Sequence, residues 1–89
     1  MTYTIRLTRS AARAIGEQLP VAVAPAVVEF IFGPLAANPH RVGHPLRDEL
    51  VGHWSARRGE YRVIYRIDDE QVVVLVVYVA HRRDAYRTR

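Results

Sequence analysis

The pattern of apolar and polar positions predicts three β-strands in the second half of the chain, over segments 53–57, 61–67 and 72–79. The last two segments are rich in β-branched and aromatic residues, a composition typical of strands. The polar tetrapeptide D-D-E-Q separates the last two segments and predicts a hairpin turn between them. Segment 72–79 is apolar at successive positions, which predicts an interior strand buried on both faces.

Segment 61–67 has two different faces, because side chains alternate sides along a strand. The apolar face carries Tyr61, Val63, Tyr65 and Ile67. The opposite face carries Arg62, Ile64 and Arg66. We expect the apolar face to meet the core and the arginines to look out from an uncovered face of the sheet.

The first half of the chain begins with one strand and one helix. Segment 3–8 alternates and suits a strand. Thr8 or Ser10 is a candidate N-cap for a helix over 11–19, whose apolar residues at helical spacing are Ala11, Ile15 and Leu19.

Segment 21–37 predicts a second helix, so the two helices form a hairpin. Its apolar stripe contains Ala24, Val27, Val28, Ile31 and Leu35. Pro25 is tolerated if it lies in the first turn, whereas Pro34 is expected to kink or shorten the helix near its end. Segment 38–52 is dense in Pro and Gly and predicts a long connection with one extended segment near 46–50.

The element order β-α-α-β-β-β predicts the α+β class, with a helix hairpin packed on a small antiparallel sheet. The 89 residues fit a single domain, 1–89. The sequence contains no cysteine, which fits a reducing cytoplasm. No apolar run reaches the roughly 18 residues of a membrane span, so we expect a soluble, cytoplasmic protein with no membrane partner.

The chain is basic, with a net charge of +4 and a pI of about 10.1. This charge favours a polyanionic partner, most simply nucleic acid. All 13 basic residues are arginine, whose planar fork grips phosphate bidentately. Codon usage in a GC-rich genome explains the absence of lysine equally well, so the positions of the arginines matter more than their number.

The arginines of the second half form two clusters. The first contains Arg57, Arg58, Arg62 and Arg66, and the second contains Arg82, Arg83, Arg87 and Arg89. If segments 61–67 and 72–79 pair as a hairpin, both clusters lie at one end of the sheet, with His81 and Arg82 near Arg62. Such a surface suits phosphate binding, but exposed arginines on a solvated or partner-binding face remain an equally open interpretation.

Two stretches, G-E-Y-R-V-I-Y-R-I (59–67) and V-V-V-L-V-V-Y-V-A-H-R-R (72–83), followed by Tyr86, resemble the RelE/ParE toxin superfamily. The resemblance spans most of the chain, and F-G-P-L-A-A-N-P-H-R-V-G-H-P-L-R (32–47) resembles the corresponding region of actinobacterial members. The chain is most similar to RelE-type mRNA interferases. This implies a toxin of a type II toxin–antitoxin module that enters the ribosomal A site, contacts rRNA and cuts mRNA. The implied partners are a cognate antitoxin and, only through that complex, operator DNA.

The resemblance also implies the catalytic residues. The family's strand arginine falls on Arg62, its second arginine on Arg82 and its C-terminal tyrosine on Tyr86. The best-known branch carries two lysines where this chain has His53 and Ser55, so the general base of that branch is not transferable.

Metal-independent cleavage is feasible because the RNA 2′-OH is itself the nucleophile, and this leaves charge stabilisation and proton transfer to the protein. Arg62 and Arg82 suit the first task. His53 and His81 are candidate bases, since histidine titrates near neutral pH. The predicted phosphate-binding residues are Arg57, Arg58, Arg66, Arg83 and Arg87.

We expect no cofactor and no metal site. His40 and His44 have a spacing found in some zinc sites, but the surrounding G-H-P loop offers no third ligand. Two other functions stay open, because one fold serves several activities. One is a ParE-like inhibitor of DNA gyrase without nuclease activity. The other is a degenerate toxin that only binds antitoxin and assists operator binding.

Overall fold

In a computed structural model, which describes residues 2–85, five strands form one mixed sheet with a helix hairpin on one face. The strands are β1 (Thr4–Leu7), β2 (Gly43–Pro45), β3 (Trp54–Arg58), β4 (Tyr61–Asp68) and β5 (Val73–His81). Their order across the sheet is β1-β5-β4-β3-β2. The predicted α+β class is confirmed, and β5 lies in the interior as expected. The sheet is antiparallel apart from β1, which runs parallel to β5.

The first helix, α1 (Arg9–Arg13), continues as a π-helical turn over Ala14–Gln18. Of the two predicted caps, Thr8 is the one used: its side chain accepts a hydrogen bond from the backbone N–H of Ala11. This bond satisfies one of the free donors of the first turn.

The second helix, α2 (Ala24–Phe30), begins three residues later than predicted. Pro25 lies in its first turn, where no hydrogen-bond donor is needed. The expectation that Pro34 kinks or shortens the helix near its end agrees with the structure. The α-helix ends at Phe30, and a π-helical turn over Ile31–Leu35 contains Pro34, so regular α-helical geometry is interrupted beside the proline.

The predicted extended segment at 46–50 is wrong. A short helix, α3 (Pro39–Val42), leads directly into β2, and Asp48–Leu50 forms a 3₁₀ turn. Gly43, the first residue of β2, lies close to the core. An added Cβ would collide with the Tyr65 hydroxyl and lie 2.7 Å from the Ser55 carbonyl oxygen.

The core lies between the helix hairpin and one face of the sheet, which we call the helix face. Each helix contributes its apolar stripe, and β3, β4 and β5 contribute alternate residues; the fully buried larger side chains include Val27, Ile31, Leu35, Val63, Tyr65, Val74 and Val76. The Tyr65 hydroxyl donates to the Pro39 carbonyl oxygen at 2.6 Å, so α3 is tied to the sheet.

The opposite sheet face is not fully uncovered, contrary to expectation. Ile64 is completely buried there. Its cross-strand partner Tyr78 donates a hydrogen bond to the carbonyl of Ala85, which is itself buried. The turn after β5 therefore folds back over the middle of this face. None of the helices within residues 2–85 has the length and apolar character that crossing a bilayer requires.

Candidate nucleic-acid interface

Four arginines share the sheet face opposite the helices, and we call this surface the arginine face: Arg6, Arg57, Arg62 and Arg66. Arg57 and Arg62 are direct cross-strand partners in β3 and β4. Arg66 and Arg6 lie in a second row, on either side of Leu75. Arg62 and Arg66 are four positions apart in β4, so the two rows lie roughly 13 Å apart along the strand.

Arg62 is the least exposed of the four, and one of its guanidinium nitrogens is buried. Arg62 is half-buried, and its Nη1 makes no hydrogen bond within the part of the chain that the structure describes. Buried donors are nearly always paired. Moreover, like charges placed directly opposite each other destabilise a sheet. Arg62 beside Arg57 is thus a costly arrangement that a bound oxyanion would relieve.

Arg82 lies at the same end of the sheet as Arg62. Its backbone N–H donates to the Glu60 carbonyl oxygen at 2.8 Å, and its Nε lies 3.4 Å from Glu60 Oε2. Both side chains of this ion pair are more than half exposed, at 55% and 58%. Water screens such a pair, so it holds Arg82 only weakly. Arg82 therefore remains accessible to a ligand at this end of the arginine face.

His81 lies at the same end of the sheet as Arg62, as predicted, but its side chain is on the opposite face, whereas His53 lies at the other end of the sheet. His81 pairs with Tyr61 on the helix face, where the two rings meet edge to face with centroids 5.4 Å apart. Its Nδ1 accepts the backbone N–H of Arg83 at 3.2 Å. His53 precedes β3 at the far end of β4 from Arg62, at the level of Arg66. Its Nδ1 is buried without a partner among residues 2–85.

The other predicted phosphate ligands are distributed around the molecule. Arg58 is exposed on the helix side, where it lines a depression against α2. Arg83 is exposed in the turn after β5. Tyr86 and Arg87 lie outside the described residues. Of the predicted cluster, the structure thus assembles Arg57, Arg62 and Arg82 at one end of the sheet.

Arg6 was not predicted as a site residue. Its alternation with Ile5 and Leu7 indicates a strand, but a sequence pattern does not reveal which strand is its neighbour. The parallel pairing of β1 with β5 places Arg6 opposite Leu75 and on the arginine face.

A separate polar cluster joins the residue before β1, α3 and the β4–β5 turn. The Tyr3 hydroxyl donates to Asp69 Oδ1 at 2.6 Å, and His40 Nε2 lies 3.1 Å from Asp69 Oδ2. The hydrogen bond from Tyr3, followed by the bond and charge of His40, lowers the pKa of Asp69. The same bond raises the pKa of Tyr3. The His40 ring also packs edge-on against Trp54. These contacts indicate a structural role for His40.

Comparison with known proteins identifies the family. A model described as the ParE toxin of the type II toxin–antitoxin system parDE matches residues 5–86. The chain belongs to this toxin family. It is 54% identical over 87 residues to Toxin RelG of Mycobacterium tuberculosis, which covers 98% of this chain and 99% of that protein. It is 51% identical over 85 residues to Toxin RelE of the same organism, which covers 96% of this chain and 87% of that protein.

Solved structures place the toxin within the RelE/ParE superfamily. A chain in the crystal structure of the toxin–antitoxin complex RelBE2 from Mycobacterium tuberculosis superposes with a TM-score of 0.87 at 52% identity, covering 91% of this chain and 99% of that one. The isolated RelE toxin of Escherichia coli has a TM-score of 0.70 at 21% identity, covering 98% of this chain and 88% of that one. At that identity the likeness shows the fold alone.

Proposed function

We propose that this toxin is an endoribonuclease that cuts mRNA on the ribosome, at the codon in the A site and without a metal ion. The observation that carries the proposal is Arg62, which is the cross-strand partner of Arg57 and whose buried Nη1 has no hydrogen-bond partner among residues 2–85. Two adjacent guanidinium groups, one with a free donor, are suited to a phosphodiester. The names of the relatives, RelE and RelG, support the same branch of the superfamily.

The chemistry uses a nucleophile that RNA itself supplies. The ribose 2′-OH attacks the adjacent phosphorus, the P–O5′ bond breaks, and the products are a cyclic phosphate and a free 5′-OH. Negative charge grows on the non-bridging oxygens, where Arg62 and Arg57 form charge-assisted hydrogen bonds. Arg82, held at the same end of the sheet by an exposed pair with Glu60, adds a third cation. DNA lacks the 2′-OH and resists this reaction.

Proton transfer is not assigned to either histidine. The His81 side chain lies on the helix face, opposite to Arg62. His53 immediately precedes Trp54, the first residue of β3, and lies roughly 13 Å from Arg62 along the sheet. Tyr86, which the family resemblance makes a candidate, lies outside the described residues and stays a prediction. Charge stabilisation by arginine and alignment of the message within the ribosome are therefore the main contributions that we propose.

We also propose a cognate antitoxin as protein partner and, through that complex, operator DNA. The support is that related chains are described in toxin–antitoxin complexes, RelBE2 among them. A ribosomal target also implies that the toxin acts in the cytoplasm.

The direct test adds the purified toxin to ribosomes programmed with a defined message and maps cuts by primer extension. We expect cuts within the A-site codon. The Arg62→Ala variant should cut about 10²–10³ times more slowly, the cost of removing one preorganised transition-state donor. Arg82→Ala should lose several tens-fold or more on the same grounds.

Two variants serve as controls in this test. Arg13→Ala removes an exposed cation from α1, on the helix side of the sheet, and should cut at the wild-type rate. Arg62→Lys retains the charge without the fork and should recover only part of the rate. Equal rates for Arg62→Ala and wild type, with both variants folded, would refute the assignment of Arg62.

A second candidate function is inhibition of DNA gyrase, which is favoured by the match to a family model named for ParE. The discriminating assay measures supercoiling by gyrase in the presence of the toxin. Loss of supercoiling with intact message would support this second function over cleavage. A protein that leaves both gyrase and message unaffected would act only through its antitoxin.

A further inference from the structure

The second row of the arginine face borders a groove of about 600 Å³ at the end of the sheet distant from Arg62. Arg6 and Arg66 stand on either side of Leu75, two strand spacings or roughly 10 Å apart. Leu75 and Val73 supply an aliphatic floor between them. The groove thus combines two long cations with an apolar base.

Both arginines are available to a ligand. Each is exposed, and within residues 2–85 neither forms an ion pair with a carboxylate. Asp68 also lines the groove, but its Oδ1 accepts the backbone N–H of Gln71 at 3.0 Å and closes the β4–β5 turn. One oxygen of the acid that lines the groove is therefore engaged in the turn.

A third polar group faces the same end of the sheet. His53 has a buried Nδ1 with no partner in the described part of the chain. It follows Gly52, whose positive φ of 93° turns the backbone beside Arg66. A Cβ added to Gly52 would lie 3.5 Å from Arg66 Nη2. The loop before β3 thus brings an unsatisfied imidazole nitrogen to the level of Arg66.

We propose that this groove is a second phosphate-binding subsite, which holds the same RNA strand that Arg62 contacts. The proposal rests on the function proposed above and extends it. Both arginine rows lie on one face of β4, roughly 13 Å apart, with the buried Ile64 between them. A strand that passes around this covered centre can place one phosphate at Arg62 and a later phosphate at Arg6 and Arg66. The aliphatic floor suits the ribose between phosphates, and the arginine forks suit phosphate oxygens.

The test measures RNA binding separately from cleavage. The probe is a short single-stranded RNA in which every 2′-OH is methylated, so that it binds but is not cut. Its dissociation constant is measured over a series of salt concentrations for the wild type and for a variant combining Arg6→Ala and Arg66→Ala. We expect binding to weaken about tenfold and the salt slope to fall by about 1.4, since each phosphate contact contributes about 0.7 for a single strand.

A matched variant combines Arg9→Ala and Arg13→Ala, which removes the same charge from exposed positions on α1. We expect it to retain most of the wild-type slope. Equal losses in the two double variants would overturn the subsite, because net charge alone would then explain binding. Displacement of the RNA by poly-glutamate at a lower concentration than by unlabelled RNA would also overturn it, in favour of an acidic protein ligand.

The two proposals fail in different ways. Absence of mRNA cleavage by the wild type, with RNA binding still dependent on Arg6 and Arg66, would refute the nuclease and retain the subsite. If cleavage depends on Arg62 but RNA binding is unchanged when Arg6 and Arg66 are replaced, the nuclease proposal stands and the subsite is refuted.

Discussion

The two faces of the sheet are built from the same strands and differ in how they satisfy their polar groups. On the helix face, Val63 and Tyr65 are fully buried. The Tyr65 hydroxyl, which is the only buried phenol among residues 2–85, donates a hydrogen bond to the Pro39 carbonyl oxygen. On the arginine face, Arg62 and Arg66 alternate with them along β4, and Arg62 Nη1 has no partner among those residues. One face satisfies its polar groups internally, whereas the other leaves donors for an external anion.

The arginine face is itself divided. Ile64 and Ser55 are cross-strand partners in its middle, and both are fully buried. Ala85 is buried beside Tyr78, on the same side. This small apolar patch separates the row of Arg57 and Arg62 from the row of Arg6 and Arg66. The face is therefore a pair of cationic ends joined by a covered centre, and the centre contributes stability.

The largest stability effect that we expect on the arginine face is that of Ile64→Ala. Removing a fully buried isoleucine side chain typically costs about 2–5 kcal/mol. Urea unfolding of this variant, beside Val63→Ala on the helix face, measures whether both faces support the fold. A loss below about 1 kcal/mol for Ile64→Ala would mean that the centre of the arginine face is open in solution.

Gly43→Ala tests how closely β2 must approach the helix face. The new Cβ would collide with the Tyr65 hydroxyl and lie 2.7 Å from the Ser55 carbonyl oxygen. Because backbone cannot move aside as a flexible side chain does, we expect a loss of about 1–3 kcal/mol. Thermal unfolding measures it. Gly33→Ala is the control, since nothing lies within 4 Å of a Cβ added there.

Tyr65→Phe probes the buried hydroxyl alone. The substitution keeps the ring but leaves the Pro39 carbonyl without its donor, for an expected loss of about 1–3 kcal/mol. Cleavage on the ribosome should be retained, because the change lies on the face opposite to Arg62. A loss of cleavage without a loss of stability would show that the helix face also contributes to cleavage.

Tyr65 also predicts a dependence on alkaline pH. Burial raises the pKa of its phenol well above the usual 10.0, since the charged form is poorly solvated inside the protein. The folded state thus holds its proton more tightly than the unfolded state. The associated stability is complete below about pH 10 and is lost as the pH rises further. Denaturant titrations above pH 10 should show a steeper loss for wild type than for Tyr65→Phe.

The smallest effect should come from Glu60→Gln. The Arg82–Glu60 pair is more than half exposed on both sides, and such pairs contribute about 0–1 kcal/mol. Unfolding should barely change, and a rise in cleavage is expected because Arg82 is released to the substrate. A large loss of stability would show instead that Arg82 is primarily a structural residue.

Local patterning was sufficient for most of the elements. Alternation predicted β4, a continuous apolar run predicted β5, and helical spacing predicted the hairpin of α1 and α2. The error lies in the connection after the helices, where contacts between distant residues decide the path of the backbone. Gly43–Pro45 forms β2 in place of the predicted extended segment at 46–50, and Gly43 leaves room there for Tyr65 and Ser55.

The sequence by itself determined the two-faced character of β4, since a period of two places Arg62 and Arg66 opposite to Val63 and Tyr65. Only the tertiary structure decided what those arginines meet. Parallel pairing brought Arg6 beside Leu75, strand register put His81 on the helix face, and the fold-back after β5 buried Ile64. The physical reason is range: alternation depends on neighbouring residues, whereas register and pairing depend on contacts between residues far apart in the chain.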